Sequence, residues 1–130
     1  MTSETQSQSR GSAKKGTLCP EALARFIAAA AADKLAENVL VLDLRDISTF
    51  TDFFVICSGS SEPQLKAITG EISDRLREEH GIRAHAIDGY PLSQWMVMDY
   101  GDVVVHILHP AKRELYSLEN LWNDAPRVAL

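Results

Sequence analysis

The chain has 130 residues, 45% of them hydrophobic and 24% charged, with a formal net charge of −5. That is one domain's worth of sequence, apolar enough for a core without disulfide or metal staples, and no run approaches the roughly 18 residues of a membrane span. Arg10, Lys14 and Lys15 against Glu4 give residues 1–19 a charge of +2 and leave −7 on residues 20–130. So acidic a domain is a poor direct ligand for DNA or RNA phosphates and suits a basic protein partner better, although solubility alone also accounts for such charge.

Residues 1–19 carry no hydrophobic stretch behind their charges, which speaks against a secretory leader. They are rich in serine without amphipathic spacing, so we expect a disordered tail at 1–19 and one folded domain at 20–130. Cys19 and Cys57 share no motif, and Cys57 within an apolar strand is a small core residue. Nothing calls for an oxidising compartment, and the expected location is cytoplasmic.

Pro20 stands at a first helical position, and the alanine-rich stretch after it predicts a helix ending near Asn38. Val39–Leu44 is a predicted strand and 46–51 a polar connection. Phe53–Cys57 is a strand apolar on both faces, hence central in a sheet. Leu65, Ile68, Ile72 and Leu76 recur at helical spacing over 62–80, and Gly81 is a suitable stop. Ile82–Ile87 reads as a third strand, with Asp88-Gly89 and Pro91 as turn signals. Gln94–Asp99 and Val103–His109 read as a hairpin around Tyr100-Gly101, closed by Pro110. AKRELYSLENLW is a last helix packed on the sheet, or two short ones broken near Ser117. The pattern is a single α/β (α+β) domain, with a mixed sheet of about five strands flanked by helices.

The stretch DFFVICSGSSEPQ runs a strand through Gly59-Ser60-Ser61 into a helix, a place where phosphates are often cradled. A P-loop needs GxxxxGK with Ser or Thr, and here Lys66 follows without that glycine. GxGxxG is absent. Nucleotidyl transfer needs an Asp-x-Asp pair on the next strand to hold metals, and no Asp-x-Asp occurs in the chain. Gly59, Ser60 and Ser61 are therefore read as a hinge and helix cap, with anion binding at the helix start as the second reading. His106 and His109 fall on opposite faces of a strand and cannot share a metal, and no GxSxG elbow supports a hydrolase. No catalytic residue, metal or cofactor is expected.

QWMVMDYGDVVVHI is the most informative segment. With Tyr100-Gly101 as a two-residue turn, Asp99 pairs with Asp102, Val97 with Val104 and Trp95 with His106. Met96, Met98, Val103 and Val105 then form a core face. Trp95, Val97, Asp99, Asp102, Val104 and His106 form the other, where two facing acids and a tryptophan suit a binding surface. A three-residue loop would slip the register, and a covering helix would make Trp95 core. Both alternatives stand beside the binding reading.

TDFFVICSGSS, WMVMDYGDVVVHI and RELYSLENLW, in this order and near these spacings, resemble the ribosomal silencing factor (Iojap-like) family over roughly residues 22–125, with Phe53 where a tyrosine is expected. The resemblance implies a nucleotidyltransferase-like core without catalytic acids. It also implies binding to the large ribosomal subunit through ribosomal protein L-fourteen, which blocks joining of the small subunit and represses translation when nutrients are scarce; homodimers are known in the family. On this reading the domain is not an enzyme. Trp95 and Tyr100 anchor the partner, Val97 and His106 lie beside them, and Asp99 and Asp102 face its cations. The alternative is a nucleotidyltransferase-like nucleotide binder or enzyme that uses the Gly59-Ser60-Ser61 loop.

Overall fold

A computed structural model describes residues 18–90, 94–116 and 124–130. The tail up to residue 17 and the predicted break near Ser117 lie outside the described residues. The elements are α1 (Pro20–Asp33), β1 (Glu37–Asp43), β2 (Phe53–Ser58), α2 (Glu62–His80), β3 (Ala86–Tyr90), β4 (Trp95–Asp99), β5 (Val103–Leu108) and α3 (Pro110–Tyr116). They form one five-stranded mixed sheet in the order β1-β2-β5-β4-β3. Only β2 and β5 run parallel among the paired strands; the other three pairings are antiparallel.

Helix α1 stops five residues short of the expected Asn38. Leu35 takes a left-handed φ of 62° and Asn38 one of 51°, so neither can continue a helix. The Ala31 carbonyl instead accepts from both Lys34 and Ala36. Helix α2 ends at the expected place. Gly81 adopts φ 67°, and the N–H groups of Gly81 and Ile82 return to the carbonyls of Arg77 and Leu76.

The third strand is displaced. It runs Ala86–Tyr90 instead of Ile82–Ile87, so Asp88-Gly89, read as a turn, lies inside it. Gly89 makes this feasible. At φ 133° it brings the backbone so close to β4 that a Cβ would stand 2.4 Å from the Trp95 carbonyl oxygen.

Helices α1 and α2 cover one face of the sheet. Leu23, Ile27, Leu65, Ile68, Ile72 and Leu76 pack there against Val41, Phe53, Val55, Cys57, Met98, Val103, Val105 and Ile107. The opposite face holds a smaller cluster of Leu42, Leu44, Phe54, Ile56, Leu108 and Ala125, with Leu40, Trp95 and Val104 at its margin. Both faces of β2 are buried throughout, as its unbroken apolar run requires. Residues 126–128 run along the outer edge of β1, with Asp43 N–H to the Pro126 carbonyl at 2.8 Å and Val128 N–H to the Val41 carbonyl at 2.9 Å. They shield an edge that would otherwise offer unpaired backbone.

Candidate functional site

The strand–helix junction is built to satisfy itself. Ser61 caps α2, its Oγ accepting the Gln64 N–H at 3.3 Å, while Gln64 Oε1 accepts the Ser60 N–H at 2.8 Å and the Ser60 hydroxyl at 3.2 Å. This is a capping box displaced by one residue. Pro63 has no N–H to offer. The Gln64 amide also donates to the Leu35 carbonyl at 3.0 Å, tying the junction to the turn after α1. A phosphate would have to displace these bonds and sit beside the Glu62 carboxylate. Gly59 is closely packed: a Cβ there would lie 3.1 Å from Leu65 Cδ2, which would have to shift by a few tenths of an ångström.

The hairpin differs from expectation in register but not in faces. Asp99 is opposite Val104, Val97 opposite His106 and Trp95 opposite Leu108. The turn is centred on Gly101-Asp102, closed by Tyr100 N–H to the Val103 carbonyl at 2.9 Å, with Gly101 at φ 84°. A positive φ at the first central residue matches the twist of a hairpin and favours glycine there. Each β4 residue thus pairs two positions further along β5 than expected. A shift of two keeps every side chain on its face. Met98, Val103 and Val105 are core on the helix side, as the alternation predicts.

Asp99 and Asp102 are consequently not cross-strand neighbours. Asp99 Oδ1 accepts the Gly101 N–H at 2.7 Å and sets the turn. Asp102 is exposed, and its carbonyl accepts from Asp52 and Phe53, joining the turn to the start of β2. Tyr100 also departs from expectation. It continues the alternation of Met96 and Met98, so its ring enters the helix-side core at 6% exposure, on the face away from Trp95. Burial pushes its phenol up to about 12, and its hydroxyl has no hydrogen-bond partner among the described residues.

The remaining residues meet on the far face. The strand registers place Leu40, Ile56, His106, Val97 and Asp88 in one row across the sheet. Leu42, Phe54, Val104, Asp99 and Ala86 form the row beside it. Trp95 Nε1–H donates to His106 Nδ1 at 3.3 Å, and the Phe54 ring meets the His106 ring edge-on at 4.7 Å. Burial pulls the His106 pKa down to about 4, so the imidazole is neutral at pH 7. Trp95, Val97, Asp99 and Val104 are half-buried, while Asp88 and Asp102 are exposed. None of these three acids makes an ion pair among the described residues.

Two contributors escaped the sequence reading. Phe54 belongs to this face because it alternates with Phe53, a signal the doubly apolar strand concealed. Arg113 is buried on α3 and donates to the Asn38 carbonyl at 2.8 Å and Ser58 Oγ at 3.1 Å, bracing α3 against the end of β2. No spacing rule marks such a residue.

The family described as "Ribosomal silencing factor during starvation" matches residues 18–130. The chain belongs to the ribosomal silencing factor family. It is 43% identical to "Ribosomal silencing factor RsfS" of Bacillus subtilis over 110 residues, covering 85% of this chain and 92% of that protein. It is 46% identical to the protein of the same name from Halalkalibacterium halodurans over 98 residues, covering 75% and 83% of the two chains. A crystal structure from Bacillus halodurans superposes with a TM-score of 0.72 at 41% identity, covering 85% of this chain and 99% of that one. Among the described residues, no group of three or more His, Cys, Asp or Glu side chains could hold a metal ion. No helix among those residues is long and apolar enough to cross a membrane.

Proposed function

We propose that this chain is a cytoplasmic translational repressor whose 20–130 domain binds the large ribosomal subunit through ribosomal protein L-fourteen. The bound protein occupies the ground on which the small subunit docks, so joining fails and translation is held down when nutrients are short. The mechanism is steric exclusion, with no bond made or broken. One observation carries the placement of the contact. The far face of β3, β4 and β5 presents a half-buried tryptophan, two half-buried valines and the carboxylates of Asp88 and Asp99, without ion pairs among the described residues, and Asp102 is exposed at the adjoining turn. A tryptophan anchor with an unpaired acidic rim suits a basic protein surface, where lysines and arginines supply the missing counter-charges. Trp95 is the anchor, Val97 and Val104 extend its apolar contact, and Asp99, Asp102 and Asp88 form the rim.

Cosedimentation with isolated large subunits tests the proposal. The wild type pellets with them. Trp95→Ala weakens pelleting at least about tenfold, the range of a hot-spot truncation. Asp99→Lys weakens it further at low salt than at high salt, because the charge contribution is screened. Failure of the wild type to pellet overturns the function; both variants pelleting normally overturns the surface. The nucleotide-binding alternative has less behind it, since the junction's own side chains occupy the donors that a phosphate needs. Tight magnesium-dependent nucleotide binding in calorimetry would restore it.

A further inference from the structure

An imidazole set into an apolar sheet face is an expensive choice. His106 lies among Phe54, Ile56 and Val97, its ring centroid 4.7 Å from that of Phe54 and 6.0 Å from that of Trp95. The bond from Trp95 Nε1–H to Nδ1 fixes the tautomer, because a nitrogen that accepts cannot carry the proton. The proton therefore sits on Nε2. That atom is buried and has no partner among the described residues. A phenylalanine or leucine at this position would fill the same space with no orphaned donor. What neither could supply is the acceptor at Nδ1.

Trp95 has a use for that acceptor. It stands opposite Leu108, so His106 is its diagonal neighbour across the β4–β5 pair, a separation that long side chains span. A half-buried indole has two rotatable bonds and a polar N–H that must be satisfied. Bonded to Nδ1, the N–H is satisfied from within the protein, and the ring is fixed before any partner arrives. Pre-ordering an anchor lowers the entropy lost on docking.

We infer that His106 is a positioning residue for Trp95: its Nδ1 holds the indole in its docking orientation, and it acts through Trp95 instead of by its own contact with the partner. The inference rests on the docking proposed above and assigns His106 a different role from its neighbours. A binding histidine would present its free nitrogen to the partner, whereas here Nε2 is closed off within the sheet face.

The test has one arm on the free protein and one on the complex. In the free wild type, nitrogen-15 spectra show His106 as the Nε2–H tautomer, with the Trp95 indole N–H protected from exchange. An Nδ1–H tautomer, or an indole exchanging as fast as free tryptophan, overturns the inference. In pelleting with large subunits, His106→Phe keeps the aromatic packing, loses the acceptor and weakens binding about tenfold. His106→Asn, whose amide oxygen can stand near Nδ1, restores indole protection and binds within about threefold of wild type. Wild-type affinity in His106→Phe sinks the positioning role. Should the wild type itself not pellet, the docking proposal fails, and the free-protein arm still decides whether the indole is held. Should His106→Phe not fold, the wild-type tautomer and indole exchange decide it alone.

Discussion

At Gly59–Gln64, Ser60, Ser61 and Gln64 bond to one another and to the Leu35 carbonyl. On the far face of β3 and β4, the carboxylates of Asp88 and Asp99 lack ion pairs among the described residues. Both places hold residues of the kind that bind ligands, and sequence motifs single out both. The difference lies in what is left over after folding. A junction whose side chains bond one another has less to offer a ligand. A surface that leaves polar capacity unused, beside a half-buried tryptophan, gains stability when a partner supplies the complement.

This contrast can be broken or sharpened by experiment. The largest effect is expected at Gly89, whose close approach to β4 sets the outer part of the far face. Gly89→Ala forces a Cβ to within 2.4 Å of the Trp95 carbonyl oxygen at a φ of 133°, and we expect a loss of about 3 kcal/mol or more in urea unfolding. A cost below about 1 kcal/mol would show that β3 is loosely held.

His106 gives the next effect. The unfolded chain takes up a proton as pH falls through 6.5, and the folded one only near 4. The unfolded state therefore binds more protons within that window, and stability falls as pH is lowered across it, by on the order of 2–3 kcal/mol. His106→Phe removes this part of the slope, and the difference between the two pH profiles isolates it from the carboxylates. Parallel profiles would mean that the ring is solvated. Ser61→Ala is smaller, costing about 1 kcal/mol of stability through the lost cap. It leaves pelleting with large subunits unchanged; a loss of pelleting would move the junction into the site. The smallest effect is a chemical silence. Burial pushes the Cys57 thiol up to about 12, so a thiol-alkylating reagent at pH 8 labels the exposed Cys19 and leaves Cys57 unmodified in the native protein.

Much of the fold is written in local pattern. The period of α2, its Gly81 stop, the doubly apolar β2 and the division of the hairpin into two faces follow from spacing and turn chemistry. What could not be read depends on how strands pair. β3 is placed by its pairing with β4, and that pairing turns Asp88-Gly89 from a turn signal into strand. The hairpin register follows from the choice between Tyr100-Gly101 and Gly101-Asp102 as the centre, two options a turn motif barely separates. The apolar positions alternate identically in both, so the faces were legible although the partners were not. Tyr100 was drawn toward the site because aromatic residues mark interfaces, but period-two alternation from Met98 carries it into the core. The edge cover of β1 by residues 126–128 has no sequence signal, because its ladder to β1 is made by backbone groups.

The parallel pairing of β2 with β5 has a consequence during synthesis. Phe53 lies opposite Val103 and Ser58 opposite Leu108, while α2, β3 and β4 all lie between them in the chain. A nascent chain that has made β1, β2 and α2 holds a strand apolar on both faces with one edge still unclosed. That edge is an aggregation hazard until β5 is translated and inserts between β2 and β4. Nascent chains arrested before Val103 should therefore be cut by protease within β2, and chains extended past Leu108 and clear of the exit tunnel should resist. Completion of the sheet therefore waits on the strand that carries His106, near the far end of the chain.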